Sequence, residues 1–310
     1  MSTLILLRHV RVENANAIAG ITWGFPAITH FLGFTHALSR ILTQTHGLTL
    51  NGCAVVSHAH QLHAHTSGRD YQFALTRNPL TREGKTASFN EEGRMHMTVS
   101  LLLECRGEIV NGEYGQQALA AFLKGRCPTL RMAGGIIVSI KDIAVMDKPT
   151  TEEKLAYLKW QLTPGFVLRD RSAWLEEHLH SLLADNPQVT MLDAWLDFAA
   201  LKFQAETPED ENLQEGDSAA WQRVPKPRPG YLVPLMTGYQ RISELYASGA
   251  VANARDDQTP FAFTEAVYGV GEWCGLHRIS SLEDIFWRYR TTETGYYCQG
   301  ASAPQAAKPH

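Results

Sequence analysis

The sequence has 310 residues, of which 44% are hydrophobic and 19% charged, and its formal net charge is −4. These values are ordinary for a folded globular chain with one large core or two smaller ones, and they exclude a disordered protein and a uniformly basic nucleic-acid binder. Five cysteines without a C-x-x-C pair argue against a disulfide framework and a zinc ribbon.

An apolar run opens the chain and ends in basic residues. Residues 4–7 predict a buried strand, after which Arg8, His9 and Arg11 can face a ligand. The run is too short for a signal peptide or a membrane span, so the sequence predicts a cytoplasmic protein with no membrane partner.

The next segments alternate between helix and strand patterns. "HFLGFTHALSRILTQ" and "YGQQALAAFLKG" have the apolar spacing of helices, whereas "CAVVSHAH", "MHMTVSLLLEC" and "TLRMAGGIIVSI" are typical of strands. The order strand, helix, strand, strand, helix, strand predicts an α+β fold. Its core would be a ferredoxin-like or RRM-type βαββαβ unit over residues 1–145.

A basic segment lies between the second and third predicted strands. "LTRNPLTREGKTASFNEEGRMHM" (75–97) carries Arg77, Arg82, Lys85, Arg94 and His96. We expect a hairpin over about residues 66–96 that projects from the sheet like a thumb.

The second half changes character at about residue 146. "TEEKLAYLKWQL", "SAWLEEHLHSLLAD" and "MLDAWLDFAALKFQ" predict helices, "TPGFVL" a strand, and "GVGEWCG" (269–275) a turn. We expect a helix-rich, partly irregular portion over residues 146–300 packed on the core, and a disordered tail over 301–310. The segment 206–217 holds six acidic residues and predicts a mobile loop; subtracting these acids from −4 leaves +2 for the rest, so a local basic surface is possible.

Basic residues distant in the sequence would converge on one face of such a sheet. They are Arg8, Arg11, Arg77, Arg82, Lys85, Arg94 and Arg131. Arginine binds phosphate oxygens bidentately, and Gly134 with Gly135 would let a nucleotide backbone approach main-chain N–H groups. The alternative, solvated arginines paired with nearby glutamates, is about equally compatible with the spacing.

The loop "NANAIAGITWGFP" (14–26) adds groups suited to single-stranded RNA. Asn14 and Asn16 offer amide edges to bases, and Trp23 can stack on a base. A Trp23 packed in the core is an equally good interpretation.

The search for catalytic and metal sites gives little. The sequence has no G-x-x-x-x-G-K-[ST], H-E-x-x-H or G-x-S-x-G motif. Four histidines have spacings that could bind a metal ion: His58, His60, His63 and His65. No carboxylate or cysteine completes the set, so no metal or other cofactor is predicted. His36 and His96 are candidates for acid–base cleavage of RNA, yet nothing completes a catalytic group and no catalytic residue is predicted.

Six segments in this order resemble one known family. They are "NANAIAGITWGFPAITHFLGFTHAL", "LTRNPLTREGKTASFNEEGRMHM", "RMAGGIIV", "LTPGFVL", "VPLMTGYQRISELY" and "VANARDDQTPFAFTEAVYGVGEWCGLHRISSLEDIFW". Together they resemble the second Csy subunits, the Cas-five-type proteins, of type I-F CRISPR surveillance (Cascade-like) complexes.

The resemblance implies a role in antiviral DNA interference without catalysis. Such subunits combine an RRM-type core with a thumb, hold the repeat-derived 5′ tag of the guide RNA, and form a heterodimer with the large first Csy subunit. They also abut the filament-forming third Csy subunit, and target DNA lies nearby through the complex. A separate subunit cuts the precursor RNA, so the resemblance implies an RNA holder and not an enzyme.

The resemblance also assigns contacts to matching motifs. "LTRNPL" and "EEGRMH" give guide or subunit contacts, "NANA" an RNA-facing pair, and "RMAGG" the glycine-rich loop. "NARD" makes Arg255 and Asp256 either an RNA contact or a buried ion pair, of which the RNA contact is preferred. The predicted RNA-binding set is Arg8, Arg11, Asn14, Asn16, Trp23, Arg77, Asn78, Arg94, His96, Arg131, Gly134, Gly135 and Arg255. The rival interpretations are a metal-independent endoribonuclease that processes CRISPR repeat RNA and a protein adaptor without RNA contact.

Overall fold

The computed structural model describes residues 3–81, 83–205, 220–254 and 256–301. The fold of these residues is mixed α/β and is built on a ten-stranded antiparallel sheet, which confirms the expected mixture of helices and strands. The acidic segment 206–217 and the tail beyond residue 301 lie outside the described residues, so the predictions made for them stay predictions.

The described elements follow one another along the whole chain. The helices are α1 (Ile28–His46), α2 (Gly112–Arg126), α3 (Glu152–Gln161), α4 (Ser172–Asp185) and α5 (Met191–Ala199). The strands of the first half are β1 (Thr3–Asn16), β2 (Ile18–Ala19), β3 (Thr22–Trp23), β4 (Thr49–Leu62), β5 (Ala64–Thr66), β6 (Tyr71–Arg77), β7 (Phe89–Glu92), β8 (Arg94–Arg106), β9 (Arg131–Met132) and β10 (Gly135–Asp147). Those of the second half are β11 (Phe166–Asp170), β12 (Phe203–Ala205), β13 (Trp221–Arg223), β14 (Tyr231–Arg241), β15 (Thr264–Gly275), β16 (Trp287–Thr291) and β17 (Gly295–Gly300).

The main sheet joins strands from both halves of the sequence. Its order is β11-β15-β14-β17-β16-β4-β8-β1-β10-β9. The four longest strands of the first half are adjacent in the order β4-β8-β1-β10, and every neighbouring pair is antiparallel. A separate three-stranded sheet, β5-β6-β7, which we call the outer sheet, is inserted between β4 and β8.

Each face of the main sheet is covered by a different layer. On one face, β-strand residues such as Ile5 and Leu7 pack with Phe31 and Leu38 of α1 and Leu119 of α2. The alternate residues, including Leu4, Leu6 and Leu102, pack with Leu158 of α3 and with Phe286. Successive side chains of a strand point to opposite faces of the sheet, and both faces are buried here. This is why β1 begins as a continuous apolar run.

The second half contains more strand than the sequence predicts. The helices α3 to α5 and strand β11 lie where they are expected, but β14 to β17 also join the main sheet. The turn expected over residues 269–275 is wrong, because these residues belong to β15. Gly269 and Gly271 allow neighbouring residues to pack closely against β15 and do not form a turn. A Cβ at Gly269, for example, would lie 2.5 Å from Ser172 Oγ.

One buried indole ties the two halves together. Trp287 of β16 lies opposite Cys53 of β4, and its Nε1–H donates a 2.9 Å hydrogen bond to the carbonyl of Leu168 in β11. None of the described helices is long and apolar enough to cross a membrane.

Candidate nucleic-acid interface

Part of one face of the main sheet carries polar side chains and is left uncovered by the described residues. Beyond the layer formed by α3, the face of β1, β8 and β10 that continues from Leu4 and Leu6 presents Arg11, Glu13, Thr98, His96 and Ile136; we call this the open face. Ile136 is 52% exposed, in contrast to the buried leucines earlier on the same face. The open face is therefore accessible to a ligand.

Strand register brings four predicted arginines onto the open face. Arg11 lies opposite both Thr98 of β8 and Ser139 of β10, and Ile136 lies opposite both Glu13 and Arg131. Residues directly opposite each other share a face. The alternation of β1 and β8 adds Arg8 and Arg94 to the same face, so the open face collects arginines from three separated parts of the chain.

These arginines differ in exposure and in their partners. Arg11 and Arg131 are exposed, and Arg11 Nη2 lies 2.8 Å from Glu13 Oε1. Arg94 is half-buried, and its Nε donates a 2.8 Å hydrogen bond to Glu92. An ion pair at an exposed site is worth about 0–1 kcal/mol, so a phosphate can displace Glu13 from Arg11 at little cost. Nε of Arg8 is buried and makes no hydrogen bond to any described residue.

The ends of β1 and β8 form one edge of the open face. The backbone N–H of Asn14 donates to Nδ1 of His96 at 3.1 Å, and the His63 ring meets the His96 ring edge-on with centroids 4.2 Å apart. The side-chain amide of Asn16 both donates to the carbonyl of Ile18 and accepts from its N–H. Asn16 therefore shapes its own loop, whereas the side chain of Asn14 projects from an exposed left-handed position with φ 57°.

The two predicted loop glycines have different surroundings. Ala133 and Gly134 both have positive φ and form a two-residue turn between β9 and β10, as a type I′ hairpin requires. A Cβ at Gly134 would lie 3.9 Å from Arg94 Nη1, so this turn borders the arginine site. Gly135 is buried, and a Cβ there would lie 2.6 Å from the carbonyl oxygen of Glu13. Because Gly135 has no side chain, β10 can pack closely against β1 at this point.

The remaining predicted residues lie on or beside the outer sheet. The guanidinium of Arg77 lies over the Phe89 ring at 4.8 Å, and Asn78 is half-buried at the end of β6. Trp23 is 41% exposed and contacts the rings of Phe73 and Tyr71. Trp23 is thus not a core residue, and Arg77 lies on a different sheet from the arginines of the open face. Arg82 and Arg255 lie outside the described residues.

A stacked histidine pair beside the open face was missed by the sequence analysis. The rings of His9 and His58 are parallel with centroids 4.0 Å apart. His58 bonds Ser100 Oγ through Nε2 at 2.7 Å and the Pro164 carbonyl through Nδ1 at 2.6 Å. His9 has a left-handed φ of 47°, a bulge in β1 that no periodic pattern reveals. The sequence signals were the polar pair that follows the apolar run of β1 and the set of four histidines that contains His58, and neither indicated that the two rings stack.

The histidine pair predicts a pH-dependent stability. Burial, followed by the nearby His58, Lys141 and Arg8, lowers the pKa of His9 from 6.5 to about 4, and burial also lowers the pKa of His58. Between these two pH values the unfolded chain binds protons that the folded chain does not, so stability should fall as the pH drops from 6.5 towards 4. Urea unfolding at several pH values measures this dependence, and His9→Asn, which tolerates the left-handed backbone, should make it shallower.

A matched control separates His9 from general acid effects. His65→Asn changes an exposed histidine of β5 and should leave the pH dependence unaltered. Equal slopes for the wild type and His9→Asn would contradict the assignment.

The structure separates the histidines considered for catalysis. His36 is exposed on α1, with its ring 5.5 Å from that of Tyr289, whereas His96 lies on the open face across the sheet. The two do not share a site. Within the described ranges, no three His, Cys, Asp or Glu side chains are grouped to hold a metal ion.

Comparison with known proteins identifies similar chains. The family model described as CRISPR-associated protein (Cas_Csy2) matches residues 5–298. The sequence is also 36% identical, over 299 residues, to the CRISPR-associated protein Csy2 of Pseudomonas aeruginosa (strain UCBPP-PA14). That alignment covers 92% of this chain and 90% of the relative, so the similarity includes both the open face and the second half of the main sheet.

Proposed function

This chain belongs to the Csy2 family of CRISPR-associated proteins, and from that premise we propose that it is a nonenzymatic RNA-binding subunit of a type I-F CRISPR surveillance complex. In this role it holds the 5′ tag of the guide RNA during antiviral DNA interference. The observation that carries the proposal is the convergence of Arg8, Arg11, Arg94 and Arg131 on the open face.

The chemistry of the open face suits a ribonucleotide strand. Guanidinium groups bind phosphates in bidentate fashion. The Gly134 turn beside Arg94 offers main-chain N–H groups that no side chain separates from the phosphate. Thr98 and His96 lie between the arginines and supply further hydrogen-bonding groups. Because the chain's net charge is −4, this local collection of arginines is what attracts a polyanion.

The strand order supports a finer description of the fold. The order β4-β8-β1-β10 with α1 and α2 on one face is consistent with a ferredoxin-like or RRM-type unit, in which the face opposite the helices binds RNA. We place this Cas-five-type core at residues 1–145, the thumb at the outer sheet, and the packed second portion at 146–300.

The outer sheet offers apolar surface for neighbouring subunits. Leu75 and Phe89 of the outer sheet are 68% and 58% exposed, and the Arg77 guanidinium lies over the Phe89 ring. Exposed apolar clusters of this kind are typical of protein–protein contacts. We assign the outer sheet to contact with the filament-forming third Csy subunit, and we propose a heterodimer with the large first Csy subunit that brings target DNA nearby.

Co-purification tests the proposal. The chain, affinity-tagged and co-expressed with the neighbouring operon proteins and a CRISPR array, should recover a short guide RNA whose 5′ tag is protected from nuclease. Ultraviolet crosslinking should place that tag on peptides containing Arg11, Arg94 or Arg131. Recovery of the protein partners without RNA crosslinks to these peptides would favour the adaptor interpretation instead.

A cleavage assay in the same preparation distinguishes the nuclease interpretation. Incubation of the purified chain with repeat RNA should give no specific product, with or without a chelator. A specific product that disappears in His96→Ala or His36→Ala would overturn the nonenzymatic assignment.

A further inference from the structure

An irregularity in β1 at Arg8 and His9, which we call the β1 bulge, turns two successive basic side chains to the same face. Leu7 and Val10 both pack in the core beneath α1 and α2, and the pairing of β1 with β8 shifts between them. His9 has a left-handed φ of 47°, which accommodates the extra residue. Arg8 and His9 therefore both lie on the side of the main sheet that carries the open face.

A third basic group reaches the β1 bulge from the neighbouring strand β10. In the register of β1 with β10, Arg8 lies opposite Asp142. Lys141, the residue before Asp142, therefore lies beside the bulged His9, and its positive charge acts on the His9 ring. The charged or titratable groups around this ring are Arg8 on β1, His58 on β4, and Lys141 and Asp142 on β10, with the Ser100 hydroxyl on β8.

Among the described residues, no carboxylate pairs with these basic groups. Neither Arg8 nor Lys141 makes an ion pair there, and Asp142 makes none either. Nε of Arg8 and Nδ1 of His9 are both buried and have no hydrogen-bond partner in the described ranges. Like charges held close together repel, and buried polar atoms are normally bonded, so an anion from outside the chain would stabilise this arrangement.

The second ring of the histidine stack is fully bonded in its neutral form. A carbonyl oxygen can only accept, so His58 donates from Nδ1 to the Pro164 carbonyl and accepts at Nε2 from the Ser100 hydroxyl. The same hydroxyl oxygen accepts the backbone N–H of His9 at 2.9 Å. This network is complete without a second proton on His58. A proton taken up by the stack therefore binds His9, whose ring nitrogens make no hydrogen bond to a described residue.

We propose that the β1 bulge binds one phosphate group of the RNA strand through Arg8, Lys141 and His9, and that His9 takes up a proton from solvent when this phosphate binds. The proposal rests on the proposed function, because it requires an RNA strand on the open face. A phosphodiester keeps its negative charge at neutral and mildly acidic pH. It therefore supplies the missing counter-charge and accepts hydrogen bonds from all three side chains.

Proton uptake makes the RNA affinity depend on pH. In the free protein, burial, with a further contribution from the charges of Lys141 and Arg8, lowers the pKa of His9 to about 4, so the ring is neutral near pH 7. A nearby opposite charge shifts a pKa by about 1–3 units towards the charged form, so the bound phosphate raises the pKa of His9. The complex then binds a proton that the free protein does not. RNA affinity should rise on the order of 10-fold as the pH falls from about 7.5 to about 5.

Titration of the purified full chain with a fluorescent RNA tests this coupling. The RNA is synthetic and carries the tag sequence of the co-purified guide, and its affinity is measured at several pH values and constant salt. His9→Asn tolerates the left-handed backbone and should remove most of the rise in affinity at low pH. His65→Asn, on the outer sheet, is the matched control and should keep the rise. Circular dichroism at each pH checks that the proteins are folded.

A charge-neutral methylphosphonate, placed at each position of the RNA in turn, locates the phosphate. We expect one position at which this replacement weakens binding about 10-fold or more and abolishes most of the pH effect. Lys141→Gln should weaken binding of unmodified RNA by a similar factor and make the slope of log K against log salt shallower by about 0.7. Lys124→Gln changes an exposed lysine of α2, across the main sheet, and should change neither quantity.

The outcomes separate this proposal from the function on which it rests. If RNA fails to bind the wild type at every pH, the RNA-binding function itself is wrong. If RNA binds with a salt dependence but His9→Asn and His65→Asn show the same pH dependence, only the phosphate site in the β1 bulge is wrong. The same conclusion follows if Lys141→Gln binds RNA as tightly as Lys124→Gln does.

Discussion

Replacing Arg11 and Arg131 together by glutamate is expected to weaken binding of the guide RNA by about 100-fold or more at moderate salt. Both side chains are exposed on the open face and are linked by the strand register through Glu13 and Ile136. Hydrogen bonds from charged groups contribute roughly 1.5–3 kcal/mol each, so loss of two such contacts predicts about 3 kcal/mol or more. Charge reversal adds repulsion of the phosphates.

The salt dependence identifies the cause of this loss. Each phosphate contact to a single strand contributes about −0.7 to the slope of log K against log salt, so the double variant should show a slope shallower by about 1.4. The measurement is a titration of fluorescent RNA at several salt concentrations. A weakened affinity with an unchanged slope would mean that these arginines do not contact phosphates.

Arg40→Glu is the control for this experiment. Arg40 is an exposed arginine of α1, the helix that covers the opposite face of the main sheet. Its reversal changes the net charge in the same direction but should change RNA affinity much less than the open-face variant does. An equal loss of binding free energy per reversed charge in the two proteins would show that overall charge, and not the open face, governs binding.

Replacing Trp287 by alanine is expected to lower the free energy of unfolding by about 3–5 kcal/mol, the usual cost of removing a buried tryptophan. Trp287 is fully buried between β4 and β11, and its indole N–H is bonded to the Leu168 carbonyl. The substitution opens a cavity and removes the hydrogen bond from the indole to that carbonyl. Because Trp287 joins the two halves of the sheet, we also expect the second half to gain protease sensitivity first.

Urea denaturation followed by circular dichroism measures the first effect, and limited proteolysis measures the second. Trp221→Ala is the matched control, since Trp221 is 67% exposed on the β12–β13 pair and its loss should cost about 0.5 kcal/mol or less. A Trp287→Ala protein no less stable than this control would disprove the structural role given to Trp287.

The elements of the first half follow from the sequence because their signals are local. The stripe that contains Phe31 and Leu38 and the alternation around Val99 in β8 fix a helix and a strand without reference to distant residues. In the second half, glycines and Pro234 interrupt the alternation of β14 and β15, and the glycines of β15 serve close packing that only the folded neighbours reveal. The alternation of apolar and polar residues therefore did not predict these two strands.

The candidate site depended even more on distant pairing. The sequence indicated which arginines and glycines could bind RNA, but it could not assign them to a face of the sheet. One bulge, or a shift of the register by one residue, moves every later side chain of the strand to the opposite face. The bulges near His9 and Asn14 decide that Arg11 shares a face with Arg94, and they also create the His9–His58 stack. The same pairing places Gly135 in the packing of β1 and leaves Gly134 beside Arg94.

By itself, the sequence determined the order of helices and strands in the first half, the resemblance to one family and the residue types available for binding RNA. Only the tertiary structure decided that β14 to β17 extend the main sheet, and that Arg11 and Arg131 lie on the open face while Arg77 lies on the outer sheet. The physical reason is that propensity and periodicity act over a few neighbouring residues, whereas register, bulges and cavities arise from contacts between segments far apart in the chain.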